Sequence, residues 1–193
     1  MGGVTVKEDA VKDLFDKMSF IHTPRLVLRR LQPQDARDMY EYASLEEVTR
    51  FLLWEPHPDL AYTKRYLAYV QGRYRMGAFY DLAVILRDTG KMIGTCGFVR
   101  FDEANHSGEV GYVLNPAYHR RGYGTEALGA TLHFGFSQLA LHRIEARFMK
   151  ENVASRRLAE RCGMQFEGIH RDMLMIKGQY RDIGFMSAIK PIE

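Results

Sequence analysis

The sequence predicts an α/β fold of the α+β kind, in which one mixed and largely antiparallel sheet of about seven strands is flanked by helices. Three observations carry that expectation. Runs with period-two alternation recur along the chain; one strand–loop–helix–strand unit lies in the second half; a further helix and a hairpin close the order. The 193 residues suit one domain, 21–193, behind a short extension over 1–20.

Taken in order, Val11, Leu14, Phe15 and Met18 fall at helical spacing, so an amphipathic helix is expected over Lys7 to Met18. Arg25 to Arg29 alternates as a strand does, and Pro33 suits the first turn of a helix running to about Ser44. From Glu46 to Gly77 the pattern is helical but broken by Pro56 and Pro58. Strands follow at about Phe79 to Arg87 and Lys91 to Phe101, divided by Asp88-Thr89-Gly90, and a third runs from Gly108 to Leu114. Next come a helix over about Gly122 to Leu139, a strand over Arg143 to Met149, and a helix from about Val153 to Cys162 with Gly163 as its stop. Strands near Gln165 to Met175 and Asp182 to Ile189, joined at Lys177-Gly178-Gln179, finish the chain.

Several classes are excluded early. No apolar run approaches the roughly 20 residues that span a bilayer, Met1 to Phe20 is not organised as a signal peptide, and Val6 spoils a myristoylation signal, so a cytoplasmic protein without a membrane partner is expected. Cys96 and Cys162 are too few and too distant for a disulfide scaffold or a zinc site and read as small apolar residues. They lack an evident base, which argues against a cysteine nucleophile. The seven histidines show no paired ligand spacing, so no metal is expected. A net charge of +3 permits an anionic ligand without making a case for nucleic acid.

The segment Gly108 to Ala127 carries the chemistry. Its strand leads through a short loop into a helix whose first turn holds Gly122 and Gly124. Free backbone N–H groups and the helix dipole make such a turn an anion site, glycine lets the ligand approach, and Arg120 and Arg121 add positive charge. A pyrophosphate would sit well there. The bland alternative is a glycine-tightened helix start with two solvated arginines. A sharper competitor is the dinucleotide fingerprint, which Gly122 to Ala127 also fits with Glu145 downstream. Asn115 to Arg121 intervene between strand and glycine, however, and one strand–helix–strand unit cannot complete a Rossmann domain.

The run His119 to Gly124 resembles the acyl-CoA pyrophosphate loop of the GNAT superfamily, Gln/Arg-x-x-Gly-x-Gly/Ala, with His119 where glutamine or arginine is usual. Gly122 to Ala127, Asn152-Val153-Ala154-Ser155, Cys162-Gly163-Met164, Thr23 to Arg29 and Lys177 to Asp182 are similar to the RimJ/RimL branch, the ribosomal-protein N-terminal acetyltransferases. The resemblance spans about Ile21 to Lys190. It implies acetyl-CoA as co-substrate, held at a splay between two central parallel strands. By the same resemblance Tyr112, Val113, Leu114, His119, Arg120, Arg121, Gly122, Tyr123, Gly124, Thr125, Asn152 and Ser155 contact it. Asn152 also reads as a helix cap and Ser155 as a first-turn polar residue.

Attack on a thioester requires a neutral amine. A free lysine is neutral in only about one molecule in a few thousand at pH 7 and an α-amine in roughly one in ten, so a positioned base matters. Glu109 stands where GNAT enzymes commonly keep a catalytic glutamate, and alternation gives it small neighbours in Gly111 and Val113. The alternative is a carboxylate paired with an arginine or lysine. Many relatives place a tyrosine where this chain has Ala159, and Ser155 resembles the serine to which the RimL branch assigns the leaving thiolate. Direct transfer in a ternary complex is expected. Trp54, His57 and Tyr180 are candidates to line the acceptor channel, with packing as their other role. The resemblance favours a protein N-terminal amine, leaves polyamines, amino acids and antibiotics open, and makes a homodimer a candidate assembly. A non-catalytic acyl-CoA-binding module is the rival class, against which the presence of both Glu109 and Ser155 argues.

Overall fold

A computed structural model describes residues 20–190. The helix expected over Lys7 to Met18 lies outside them. The described chain forms one eight-stranded sheet in the order β1-β2-β3-β4-β5-β6-β8-β7. Its strands are β1 (Ile21–His22), β2 (Leu26–Arg29), β3 (Ala83–Leu86), β4 (Met92–Asp102), β5 (Ser107–Leu114), β6 (Arg143–Met149), β7 (Gln165–Ile176) and β8 (Gln179–Ile189). Its helices are α1 (Ala36–Ala43), α2 (Glu46–Thr49), α3 (Leu60–Arg75), α4 (Tyr123–Ser137) and α5 (Val153–Arg161).

Every pairing is antiparallel except β5 with β6, because α4 carries the chain back across the sheet between those two strands. Alternation then sorts side chains to two cores. On one face Val110, Cys96, Phe98, Ile144, Ala146 and Phe148 pack with Leu128 and Leu132 of α4 and Ala159 of α5. On the other Ala83, Ile85 and Met92 pack with Met39 and Tyr42 of α1 and Leu67 and Val70 of α3. Both faces are therefore covered.

Three boundaries differ from the sequence pattern. The stretch from Phe79 is not a full strand: Tyr80 makes one isolated bridge to Phe98, and regular pairing begins only at Ala83. At this place the chain lies so close over Gly97 that a Cβ there would fall 2.5 Å from Asp81 Cα. The short α2 stops at Thr49, well before Pro56 and Pro58, and α3 starts beyond the prolines, where the Asp59 carboxylate accepts a hydrogen bond from Tyr62 N–H (2.6 Å). The last hairpin turns on Lys177 and Gly178, both at positive φ, so β8 begins at Gln179, three residues before the alternation becomes clear.

Candidate functional site

The two parallel strands part company halfway along. Their register runs from Ser107 opposite Arg143 to Val110 opposite Ala146 and stops there. Beyond it β5 stays bonded to β4 as far as Leu114, while β6 stays bonded to β8 as far as Met149. Gly111 to Leu114 and Arg147 to Met149 therefore face an opening between them, with backbone groups free to pair with an inserted chain.

At the mouth of this opening lies the glycine turn. Asn115 accepts from Ala117 N–H (3.0 Å) to start a single 3-10 turn, and His119 Nε2 lies 3.0 Å from the Leu114 carbonyl, tying the loop to the end of β5. Arg120 (φ 60°) and Gly122 (φ 80°) both adopt left-handed backbone. The first helical bond of α4 runs from Glu126 N–H to Gly122 C=O (3.0 Å), so the amides of Tyr123, Gly124 and Thr125 have no partner within the helix. These amides, the helix dipole and the exposed Arg120 and Arg121 suit a diphosphate.

Glu126, in that same first turn, would oppose an anion. It is neutralised from the sheet edge: Arg25 Nε meets its carboxylate at 2.6 Å, while Arg25 N–H and the Thr23 hydroxyl donate to its other oxygen (2.8 and 2.6 Å). Burial alone would raise this carboxyl, but the bonds from Thr23 and Arg25 outweigh it and hold it below its ordinary value. The Arg25 guanidinium also lies over the Tyr123 ring and donates to the Arg121 carbonyl (2.9 Å).

On the α4/α5 side of the opening the Tyr112 hydroxyl sits 2.9 Å from Ser155 Oγ and donates to the Ser155 carbonyl at 3.1 Å. Asn152 caps α5 by accepting from Ser155 N–H (3.1 Å), which fixes the serine beside the tyrosine. Burial, opposed by the Ser155 bond, pushes the Tyr112 phenol up to about 12. It therefore keeps its proton at neutral pH and can donate it.

Glu109 lies on the opposite face, 6% exposed, between two guanidinium groups: Arg100 Nε at 2.7 Å and Arg147 Nε at 2.8 Å. A register shift between Phe98 and Arg100 brings the first arginine opposite Glu109, and the parallel register places the second two residues beyond Glu145. Each carboxylate oxygen accepts one of these bonds and retains a lone pair for a water or an amine.

The acceptor candidates are not gathered in one place. His57 is buried, with Nδ1 2.9 Å from the Thr63 hydroxyl and its ring in tilted contact with Trp54 (5.3 Å), Tyr62 (4.8 Å) and Tyr66 (5.6 Å). Tyr180 stands exposed on the hairpin. Between these two segments opens a cleft of about 430 Å³ whose walls include Arg50, Glu55, Lys177 and Arg181. These four residues, like Arg100 and Arg147, carry no signal in the sequence pattern that singled out Trp54, His57 and Tyr180.

Cys96 is buried and Cys162 half-buried, and both are free thiols. Among the described residues no three His, Cys, Asp or Glu side chains converge as a metal site, and no helix is long and apolar enough to cross a membrane.

Among the described strands the mixed sheet parts at its parallel pair, and with a glycine-entered helix at the mouth this suits an extended ligand that ends in a diphosphate. Residues 25–165 match the family described as Acetyltransferase (GNAT) domain, and the chain belongs to that family of acetyl-CoA-dependent N-acetyltransferases. It is 32% identical over 173 residues to the uncharacterized N-acetyltransferase p20 of Bacillus licheniformis, covering 90% of this chain and 97% of that protein. It is 29% identical to the ribosomal protein uS5-alanine N-acetyltransferase of Escherichia coli, covering 83% and 85%. Among solved structures, a GNAT-family acetyltransferase from Bacillus anthracis superposes with a TM-score of 0.80 at 28% identity, covering 89% of this chain and 98% of that one.

Proposed function

We propose that this enzyme acetylates the α-amine at the N-terminus of a protein, by direct attack on acetyl-CoA in a ternary complex within a catalytic domain over 21–193. The observation that carries this reading is the open cleft of about 430 Å³, wide enough for a chain terminus, which shares Arg50 and Arg181 with a smaller cavity that reaches Met149 at the end of β6. The uS5-alanine N-acetyltransferase supports it, since that relative is named for an alanine of a ribosomal protein, and alanine carries no amine but its α-amine.

Acetyl-CoA supplies an activated thioester carbonyl, and the residues of this chain do the rest. The amides of Tyr123, Gly124 and Thr125 hold the diphosphate, with Arg120 and Arg121 adding charge. Tyr112, Val113 and Leu114 offer the β5 edge to the pantetheine arm. Glu109 takes the ammonium proton through a water, using the lone pairs that Arg100 and Arg147 leave free. Ser155, with the Tyr112 proton behind it, protonates the departing thiolate.

The test is release of CoA thiol with a panel of acceptors: peptides with a free α-amine, the same peptides blocked at the α-amine but carrying lysine, spermidine and free amino acids. We expect turnover to require the free α-amine of a peptide. Turnover of spermidine or lysine with free-terminus peptides ignored would overturn the proposal.

A further inference from the structure

Two arginines of the cleft have no acidic partner among the described residues. Arg50, at the end of α2, and Arg181, on β8, line both the 430 Å³ cleft and a smaller cavity of about 120 Å³ beside it, which reaches Phe51 and Met149. Carboxylates are close in the fold: Glu46, Glu47 and Glu55 on the cleft, Glu151 on the small cavity. Yet among the described residues neither arginine forms an ion pair.

The neighbouring charges show that this is not a shortage of partners. Glu55 pairs with Lys177, whose ammonium also donates to the Thr49 carbonyl (3.2 and 3.0 Å). Asp182, adjacent to Arg181 in sequence, turns away to Lys150 (3.1 Å). Arg50 lies over the Phe51 ring, 5.2 Å from its centroid. Arg181 is left with its Nε buried and no hydrogen-bond partner. A buried guanidinium N–H without an acceptor is costly to keep, and the planar fork of arginine matches a carboxylate in two bonds.

We infer that Arg181, assisted by Arg50, binds a carboxylate of the acceptor, so that the enzyme selects amines whose carrier also bears an acidic group near the reacting nitrogen. The inference rests on the cleft being the acceptor entry, as proposed above. The small cavity lies at the end of β6, where the strands have parted, and Met149 and Arg181 both line it. An acceptor whose amine reaches the opening thus passes the unpaired guanidinium on its way in. A peptide beginning Ala-Glu or Ala-Asp has the required chemistry; its Ala-Gln or Ala-Asn counterpart lacks only the charge.

The experiment compares kcat/KM for the tetrapeptide amides Ala-Glu-Ala-Ala and Ala-Gln-Ala-Ala in the wild type and in Arg181→Gln. A ratio within each protein cancels differences in folding and active fraction. The wild type should favour the acidic peptide by about 10- to 100-fold, the range of a hydrogen bond to a charged group, and Arg181→Gln should bring the ratio near one. Free glutamate against glutamine amide, run in parallel, shows whether the carboxylate is read on a peptide or on a small amine. Either preference, if lost in Arg181→Gln, supports the arginine. Equal rates in the wild type for both pairs, or a preference that survives in the variant, overturn it. Calorimetric binding of the same peptides needs no turnover. Absence of acetyl transfer therefore sinks the proposed function, while equal binding of the Glu and Gln peptides sinks the role of Arg181.

Discussion

Asp81 couples the stability of the fold to pH. It sits over Gly97 on the face covered by α1 and α3, where its carboxylate accepts from Leu82 N–H (2.9 Å) and bonds the Thr95 hydroxyl. Burial pushes the carboxyl up to about 7, although the Thr95 and Leu82 bonds pull it back. The folded value exceeds the unfolded one, so the stability that the protonated acid confers is complete below about pH 4 and is lost as pH rises through about 7. Between pH 5 and pH 8 the loss covers about two pKa units at about 1.36 kcal/mol each, hence about 3 kcal/mol at most, and less because the residue keeps some contact with solvent. Asp81→Asn has no charge to bury and should remove that fall. Urea unfolding of both proteins at pH 5, 6, 7 and 8 reads it directly. The neighbours do not interfere: burial raises the phenols of Tyr42, Tyr66 and Tyr74 and pushes the Cys96 thiol up to about 12. His57, next to Tyr66, is lowered by its burial, and its titration is common to both proteins. Parallel stability curves for wild type and variant across this range would refute the argument.

Other perturbations bear on catalysis. Glu109→Gln should depress kcat/KM most at low pH within the range 6 to 9, by about 10²- to 10⁴-fold if it accepts the proton, and an unchanged profile removes Glu109 from the mechanism. A limb near pH 7 that survives in Glu109→Gln but disappears in Asp81→Asn would belong to Asp81. Ser155→Ala should lower kcat more than acetyl-CoA affinity, and a loss confined to affinity would argue against proton donation. Because Tyr112 and Ser155 share one bond, Tyr112→Phe and Ser155→Ala should be non-additive by about 0.5–3 kcal/mol in a double-mutant cycle of kcat/KM. Gly122→Ala puts a side chain at φ 80° and 3.2 Å from Arg25 Nη2, which should cost about 1–2 kcal/mol, a few degrees of Tm, and weaken acetyl-CoA binding measured by calorimetry.

Much of this was legible because the decisive signals are local. The alternation of Arg143 to Met149 gives a strand of those bounds, and the glycines at 122 and 124 mark where α4 begins. What stayed hidden depends on register between strands remote in sequence. Nothing near Glu109 announces Arg147, 38 residues away, and the irregularity that aligns Arg100 leaves no mark in the alternation. Asp81 is similar: its neighbours in sequence read as one continuous strand, whereas the chain there rides over Gly97. Trp54 and His57 stand out as aromatic residues in an irregular stretch, and the packing of His57 against Trp54 and against Tyr62 and Tyr66 of α3 supplies a structural reason for that composition.

The clasp between Thr23, Arg25 and Glu126 joins residues about a hundred positions apart, and its effect is one of sequence in time. A nascent chain can complete α4 only after its opening hairpin has long been made, and until the two dock, an unscreened acid stands beside the amides meant for phosphate. Grip on the nucleotide end of the coenzyme is thereby made conditional on closure of the far edge of the sheet, so a partly assembled molecule would tend to leave the cellular acetyl donor alone.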